Sequence, residues 1–550
     1  MTVTETLPGD VAPPAGPATS APPAGAEAVT ATADHKRLGL LSLGGAALFL
    51  LVGGAVGMVL RAELAAEGVD IVGGNYNRLF SLHATVSAML VLAPAWVGLA
   101  TYVVPLQIGA GRLALPRLHA FATWLYLLGG TLLAAAYVIG PPLGLGIADA
   151  TPTPAPDGGA NNANALAVVS MAMVAVAMVL AAISLAVTIL KLRTPGMTLR
   201  RVPMFSWATL VTSLVTMLST PVFLGGLVLV YIDQRFGASF FRPEHIPGQT
   251  IWQHAVWLFG RPEIYLLALP GLGAACDIVA THARRPLLSL NAARGALSLF
   301  AVLSLAAWAA GTKVADAVVL PTYSVLTTLT AAPVALLVLV WLGTLAKGMP
   351  RGHASLLFVG GAVALAGTGA LHAAIAGAVG VDGSAWTTGH LHTVAFGAPT
   401  LLLAGAVYHW APKLFGRELS AGLGRLAFLG LFGGFFLLGL GSYLLGYDGA
   451  PSHVRDFPFS SSASTYGLLA ALGGAAVVVG ALALLADVIA AMAGRATAAG
   501  PDDPYEGHTL EWATASPPPP AGFDAVPEVR SAHPLLDLRR DGRAAEANDG

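Results

Sequence analysis

The chain has 550 residues, of which 55% are hydrophobic and 10% charged, and its formal net charge is −1. So small a charged share, against roughly 25% in a soluble domain, excludes an ordinary water-soluble globule, and the charge balance leaves no basic footprint for nucleic acid. A single cysteine, Cys276, excludes an intrachain disulfide framework and any cysteine-based zinc or iron–sulfur site.

Residues 1–33 are rich in Pro, Ala, Gly and Thr, without a basic stretch ahead of an apolar core. They read as a disordered tail and not as a signal peptide. From residue 34 to residue 496, apolar runs long enough to cross a bilayer follow one another. A hydropathy window places about twelve spanning helices at 38–60, 79–106, 119–141, 164–190, 205–231, 251–275, 293–311, 316–345, 354–380, 388–411, 423–446 and 465–493. The expected fold is an all-α integral membrane protein whose first partner is the lipid bilayer. Residues 497–550 carry Pro517-Pro518-Pro519-Pro520 and scattered charges, and read as an extended, solvated tail.

Basic residues set the orientation. Alternate loops carry Lys36 and Arg37, Arg112 and Arg117, Lys191 to Arg201, Arg284 to Arg294, Lys347 and Arg351, and Lys413 to Arg425. The opposite loops hold only Arg61, Arg78, Arg235, Arg242, Lys313 and Arg455. The positive-inside rule puts both termini in the cytoplasm.

Of 14 histidines, most sit in loops or at helix ends, and among those inside apolar spans, where an imidazole needs a reason, three carry the argument. His83 lies in Leu79-Phe80-Ser81-Leu82-His83-Ala84-Thr85, and His390 and His392 lie in Gly389-His390-Leu391-His392-Thr393. A lone membrane histidine is more often a hydrogen-bonded packing residue than a ligand. Two of them at i and i+2 point about 200° apart on a helix, which suits two separate ligand tasks better than packing. A bis-imidazole heme needs a further histidine from another helix, and His83 is the best placed.

These residues, with the stretches around them, resemble subunit I of the heme-copper oxidases, closest to the mitochondrial-type cytochrome c oxidases. The resemblance runs from Asp34-His35-Lys36-Arg37 through Val104-Pro105-Leu106-Gln107-Ile108-Gly109-Ala110, Arg193–Leu199, Gln253–Trp257 and Gly260–Gly271. It continues through Trp410–Arg417 to Thr509-Leu510-Glu511-Trp512. It implies the twelve-helix subunit I fold, with two hemes. His83 and His392 would hold a low-spin heme, and His390 would be the proximal ligand of a high-spin heme. It further implies other oxidase subunits, above all a subunit II, cytochrome c or quinol as electron donor, and a bacterial plasma membrane.

The chain departs from that family at its oxygen site. Three histidines there bind copper, and the matching positions hold Arg261, in Gly260-Arg261-Pro262-Glu263-Ile264-Tyr265, and Ala310 and Gly311, after Trp308-Ala309. A guanidinium stays protonated, cannot ligate, and repels a metal ion. Glu263 and Tyr265 remain as the catalytic-site candidates, and Arg261 is expected beside the heme or an oxygen-bearing ligand. One proton channel's aspartate corresponds to Arg112, its asparagines to His119 and Ala120, and the other channel's lysine to Leu337. The propionate-binding arginine pair corresponds to Ser452 and His453, with Arg455 as a candidate replacement, and the magnesium ligands to Asp382 and Gly383.

Three readings follow. The first is a diheme electron-transfer protein without copper in this subunit and with altered oxygen chemistry. The second is a working cytochrome c or quinol oxidase with an unrecognised distal site, and the third a non-catalytic heme sensor or structural paralogue.

Overall fold

The computed structural model describes residues 32–140, 162–238, 240–241, 246–307, 325–326, 328–381, 383–452, 454–455, 460, 462–495 and 497–549. The proposed N-terminal tail lies outside them, except for its last two residues.

Hydrocarbon has no water to satisfy peptide groups, so a chain this apolar must close its backbone hydrogen bonds within helices. It does so. Among the described residues, eight helices are long and apolar enough to cross a membrane: α1 (His35–Glu63), α2 (Gly73–Gln107), α3 (Pro116–Ile139), α4 (Asn162–Lys191), α5 (Met204–Phe236), α10 (Ala385–Phe415), α11 (Ala421–Tyr447) and α12 (Ala463–Met492). Between α5 and α10 lie α6 (Ile246–His282), α7 (Leu290–Ala306), α8 (Ala331–Lys347) and α9 (Ala354–Val379). A last helix, α13 (Pro534–Asp549), is polar and belongs to the C-terminal segment. The twelve expected spans thus have a helix each, and the fold is an all-α membrane bundle. Among the described residues the β-type pairing is one isolated bridge, Ser384 with Pro451.

α2 is the centre. In its most apolar window 94% of residues are buried inside the chain, against 28% for α1 and for α12, which turn large apolar side chains such as Leu48 and Leu472 outward. Lipid offers apolar side chains no reason to leave it, so helix pairs close through small residues. On α11 and α12 this is literal. A Cβ on Gly430 would lie 2.6 Å from Gly480 Cα, and one on Gly441 2.6 Å from the Ala470 amide nitrogen.

The C-terminal segment departs from the extended, solvated tail expected of it. Leu510, Glu511, Trp512, Phe523, Val529 and Leu535 are buried, and the chain from about residue 500 to α13 forms a strap across one end of the bundle. Helix-end cations hold it. Lys36 Nζ donates to Pro520 O (3.0 Å), Arg201 Nη1 to Val529 O (3.1 Å) and Lys413 Nζ to Asp502 O (2.9 Å), while Arg284 pairs with Glu506 at 2.6 Å. These cations come from four of the loops read as lying on one side of the membrane, and they meet one strap.

A paired-imidazole site between α1, α2 and α10

The ring of His83 sits against α1. Its Nδ1 lies 2.9 Å from the Gly53 carbonyl oxygen. Gly57, one turn along, leaves the space, for a Cβ there would be 2.6 Å from His83 Cε1. His392, on α10, has its Nδ1 2.8 Å from the Thr388 carbonyl oxygen. A carbonyl only accepts, so both Nδ1 atoms carry the proton and donate. Each Nε2 is left as a bare lone pair, the form in which imidazole binds a metal.

The two ring centroids are 6.4 Å apart and the ring planes are inclined by 14°. Two metal–nitrogen bonds of about 2 Å, plus about 1.1 Å from nitrogen to ring centre on each side, require about 6.2 Å. The pair therefore fits a bis-imidazole heme iron on distance, ring alignment and tautomer. His390 turns the other way. Its Cε1 lies 3.5 Å from where a Cβ on Gly369 of α9 would stand. The opposed disposition expected of His390 and His392 is present, with α2 on one side and α9 on the other.

Neither helix is a regular α-helix at these residues. α2 changes to π geometry over Val86–Leu92, three residues after His83, and α10 does so over Leu391–Gly397, which contains His392. Single π turns inside α-helices widen the helix and re-aim side chains, and they concentrate at functional sites. Thr393 Oγ1 in the second π segment bonds Tyr443 OH of α11 at 2.9 Å, which fixes α10 against its neighbour.

Arg61 was missed. Counted as a loop cation, it occupies the last turn of α1, the helix that seats His83. The available signal was its position, at the end of an apolar run that continues into Arg61-Ala62-Glu63. Arg455 is placed differently from a heme-facing residue. Its Nη1 bonds Asp70 Oδ1 (2.8 Å), Gly73 O (2.7 Å) and the buried Glu63 Oε1 (3.4 Å). Glu63 Oε2 in turn accepts from the amides of Ile71 and Val72, so this ion-pair network ties down the loop between α1 and α2.

Ala310 and Gly311 lie outside the described residues, as do His453 and Asp382. Arg261, Glu263 and Tyr265 are in α6, but their side chains are outside the described set. Arg112 is exposed, Leu337 is fully buried among apolar neighbours, and His119 Nε2 bonds Thr101 Oγ1 at 2.8 Å. Ser452 caps the Gly383 carbonyl. Among the described residues no group of three His, Cys, Asp or Glu is arranged to hold a metal ion.

Gly57→Val tests the seat of His83. The added side chain must push the imidazole off its position, and the optical band of a heme held there should shift or weaken, with His390-dependent absorption unchanged. An unaltered band in a folded variant would mean that His83 does not lie on α1 in this way.

Residues 37–482 match the family described as Cytochrome C and Quinol oxidase polypeptide I. A putative cytochrome c oxidase subunit 1-beta of Streptomyces avermitilis is 33% identical over 524 residues, covering 94% of this chain and 92% of that protein. A cytochrome c oxidase subunit 1 of Corynebacterium glutamicum is 30% identical, covering 92% of this chain and 88% of its own length. A solved heme-copper terminal oxidase dimer has a chain with the same fold, with a TM-score of 0.70, 17% identity and 85% of each chain covered. With the twelve-helix bundle and matches along nearly its whole length, the chain belongs to the cytochrome c and quinol oxidase subunit I family.

Proposed function

We propose that this chain is a diheme electron-transfer subunit of a respiratory oxidase-like complex that works without copper in its oxygen-side pocket. The carrying observation is the His83–His392 pair, 6.4 Å between ring centres with both Nδ1 atoms committed to carbonyls. A heme bound there supplies reversible one-electron transfer. His83 and His392 would both hold that heme, which would suit it to electron transfer and not to binding small molecules. The Gly53 and Thr388 carbonyls hold the rings in register and strengthen them as donors. His390, turned toward α9, would hold the second heme, the one available to a small ligand.

The positions of the family's copper ligands set this chain apart. Arg261, Ala310 and Gly311 stand at the copper-ligand positions, and none can donate an electron pair to the metal. Arg261 brings a fixed positive charge, suited to an anionic or oxygen-bearing ligand. Arg112 and Leu337 likewise remove the carboxylate and the amine at the two usual proton entrances. Electrons arrive from cytochrome c or quinol, through a companion subunit II, and the chain sits in a bacterial plasma membrane with both termini in the cytoplasm. Glu263 and Tyr265, retained in the same sequence motif, are the candidates for moving protons.

The relatives' names favour a second reading, a working cytochrome c oxidase whose distal site is built differently. Heme and copper counts on the chain, purified from its native membrane and freed of companion subunits, separate the two. Two hemes and no copper per chain are expected. One copper per chain with rapid oxygen consumption would overturn the proposal, as would one heme or none.

A further inference from the structure

Where the strap meets α5, α6 and α10, two carboxyl groups are buried side by side. Asp277, near the end of α6, is 8% exposed, and Glu511 of the strap is 0% exposed. One amide joins them. Gln107 Nε2 donates to Asp277 Oδ2 at 3.1 Å and to Glu511 Oε1 at 3.0 Å. Its Oε1 accepts from the Ser206 amide and hydroxyl, so the amide cannot turn round.

The two carboxyls are unequal. Asp277 also accepts from the amides of Met204 (3.1 Å) and Phe205 (3.0 Å), the first residues of α5. Three donors and the positive end of a helix favour an anion there. Glu511 Oε1 accepts from Gln107 and, at 3.3 Å, from Trp410 Nε1. Its Oε2 is buried and makes no hydrogen bond of ordinary geometry among the described residues, with the Thr509 hydroxyl and its own amide as the nearby donors. Charge on an oxygen so placed, beside an anion, is costly. Burial pushes the Glu511 carboxyl above the usual range, against the pull of Gln107, Thr509, its own amide and Trp410.

A cavity of about 20 Å³, lined in part by Asp277, Thr281, His508, Thr509 and His533, adjoins Asp277. It has room for about one water molecule. His508 is 4% exposed and its Nδ1 is buried without a hydrogen-bond partner among the described residues, as is Nδ1 of His533, whose ring packs edge-on at 5.8 Å. Burial, reinforced by His533, brings His508 down to about 4, so its imidazole is neutral near pH 7. A neutral imidazole can take a proton on one nitrogen and release one from the other. The charged groups near this site are Arg294 of α7, Lys413 of α10, and Glu506, Asp537, Arg539 and Arg540 of the C-terminal segment, with the Cys276 thiol next in sequence to Asp277.

We propose that the Asp277–Glu511 pair is a proton-binding site: it carries one proton, resting on Glu511, and is loaded from the aqueous phase through the cavity that Asp277 shares with His508. In loading, an O–H bond of a cavity hydronium breaks and leaves water. An O–H bond forms on the carboxylate, and the pair goes from two negative charges to one. The site is made of the strap and helix ends and does not depend on the heme ligands.

Infrared difference spectroscopy of the full chain in lipid membranes, with pH or deuterium exchange as the perturbation, tests this. The parent should give a protonated-carboxyl C=O band near neutral pH that shifts down in D2O. Glu511→Gln should remove it, whereas Asp524→Asn, at an exposed carboxylate, should leave it. His508→Phe keeps both carboxyls, so the band should persist while its deuterium exchange slows several-fold. A band that survives Glu511→Gln, or that is absent from the parent, overturns the proposal. So does exchange in His508→Phe as fast as in the parent.

Discussion

His392→Ala should abolish the low-spin heme spectrum and halve the heme content, leaving the high-spin component in place. His83→Ala should do the same, and His390→Ala the reverse. The asymmetry follows from geometry. A heme held by both imidazoles would lose one of its two protein ligands when either ring goes, and the remaining imidazole, kept in register by its Gly53 or Thr388 carbonyl, cannot supply the second. His390 faces α9, away from this pair, so removing His392 takes no ligand from the second iron. Reduced-minus-oxidised spectra of the three variants, with heme counted per folded chain, check this. Should His392→Ala and His390→Ala erase both signals to the same extent without unfolding, the division of labour between the two residues is wrong.

Much of this was legible because the physics that writes it is local. A bilayer demands about twenty apolar residues per crossing, and twelve such runs could be counted. Two imidazoles at i and i+2 must diverge on any helix, so His390 and His392 announced two directions before a neighbour was known. The π segments were hidden, because Val86–Leu92 and Leu391–Gly397 are as apolar as an ordinary span and differ only in which carbonyl each amide finds. Arg61 was hidden by rule, since basic residues at span ends are normally loop anchors and nothing local says that this one belongs to the last turn of the helix that seats His83. The strap was misread because Pro517–Pro520 and its charges look like solvated chain. Its buried residues, Leu510, Trp512, Phe523 and Val529, have no helical or strand period, and the surface they cover is contributed by helix ends far away in sequence.

That misreading has an energetic consequence. Trp512 is 2% exposed, its ring packs edge-on to Tyr505 and His409, and Lys413 Nζ lies 5.4 Å from its centre. Replacing a tryptophan so enclosed with alanine should cost about 3–5 kcal/mol. Truncation after Gly500 should cost more, because it also strips the Lys413 ammonium of the Asp502 and Thr514 carbonyls and leaves Asp277 facing water. The lone cysteine reports on this directly. Cys276 is fully buried in α6 next to Asp277, with Trp341 Nε1 3.2 Å from its sulfur. In a thermal ramp with a thiol-reactive dye, Cys276 of Trp512→Ala should label at a lower temperature than in the parent, and that of the truncated chain at a lower temperature still. A solvated tail predicts no change in either, and labelling curves that superimpose on the parent's would return the strap to that status.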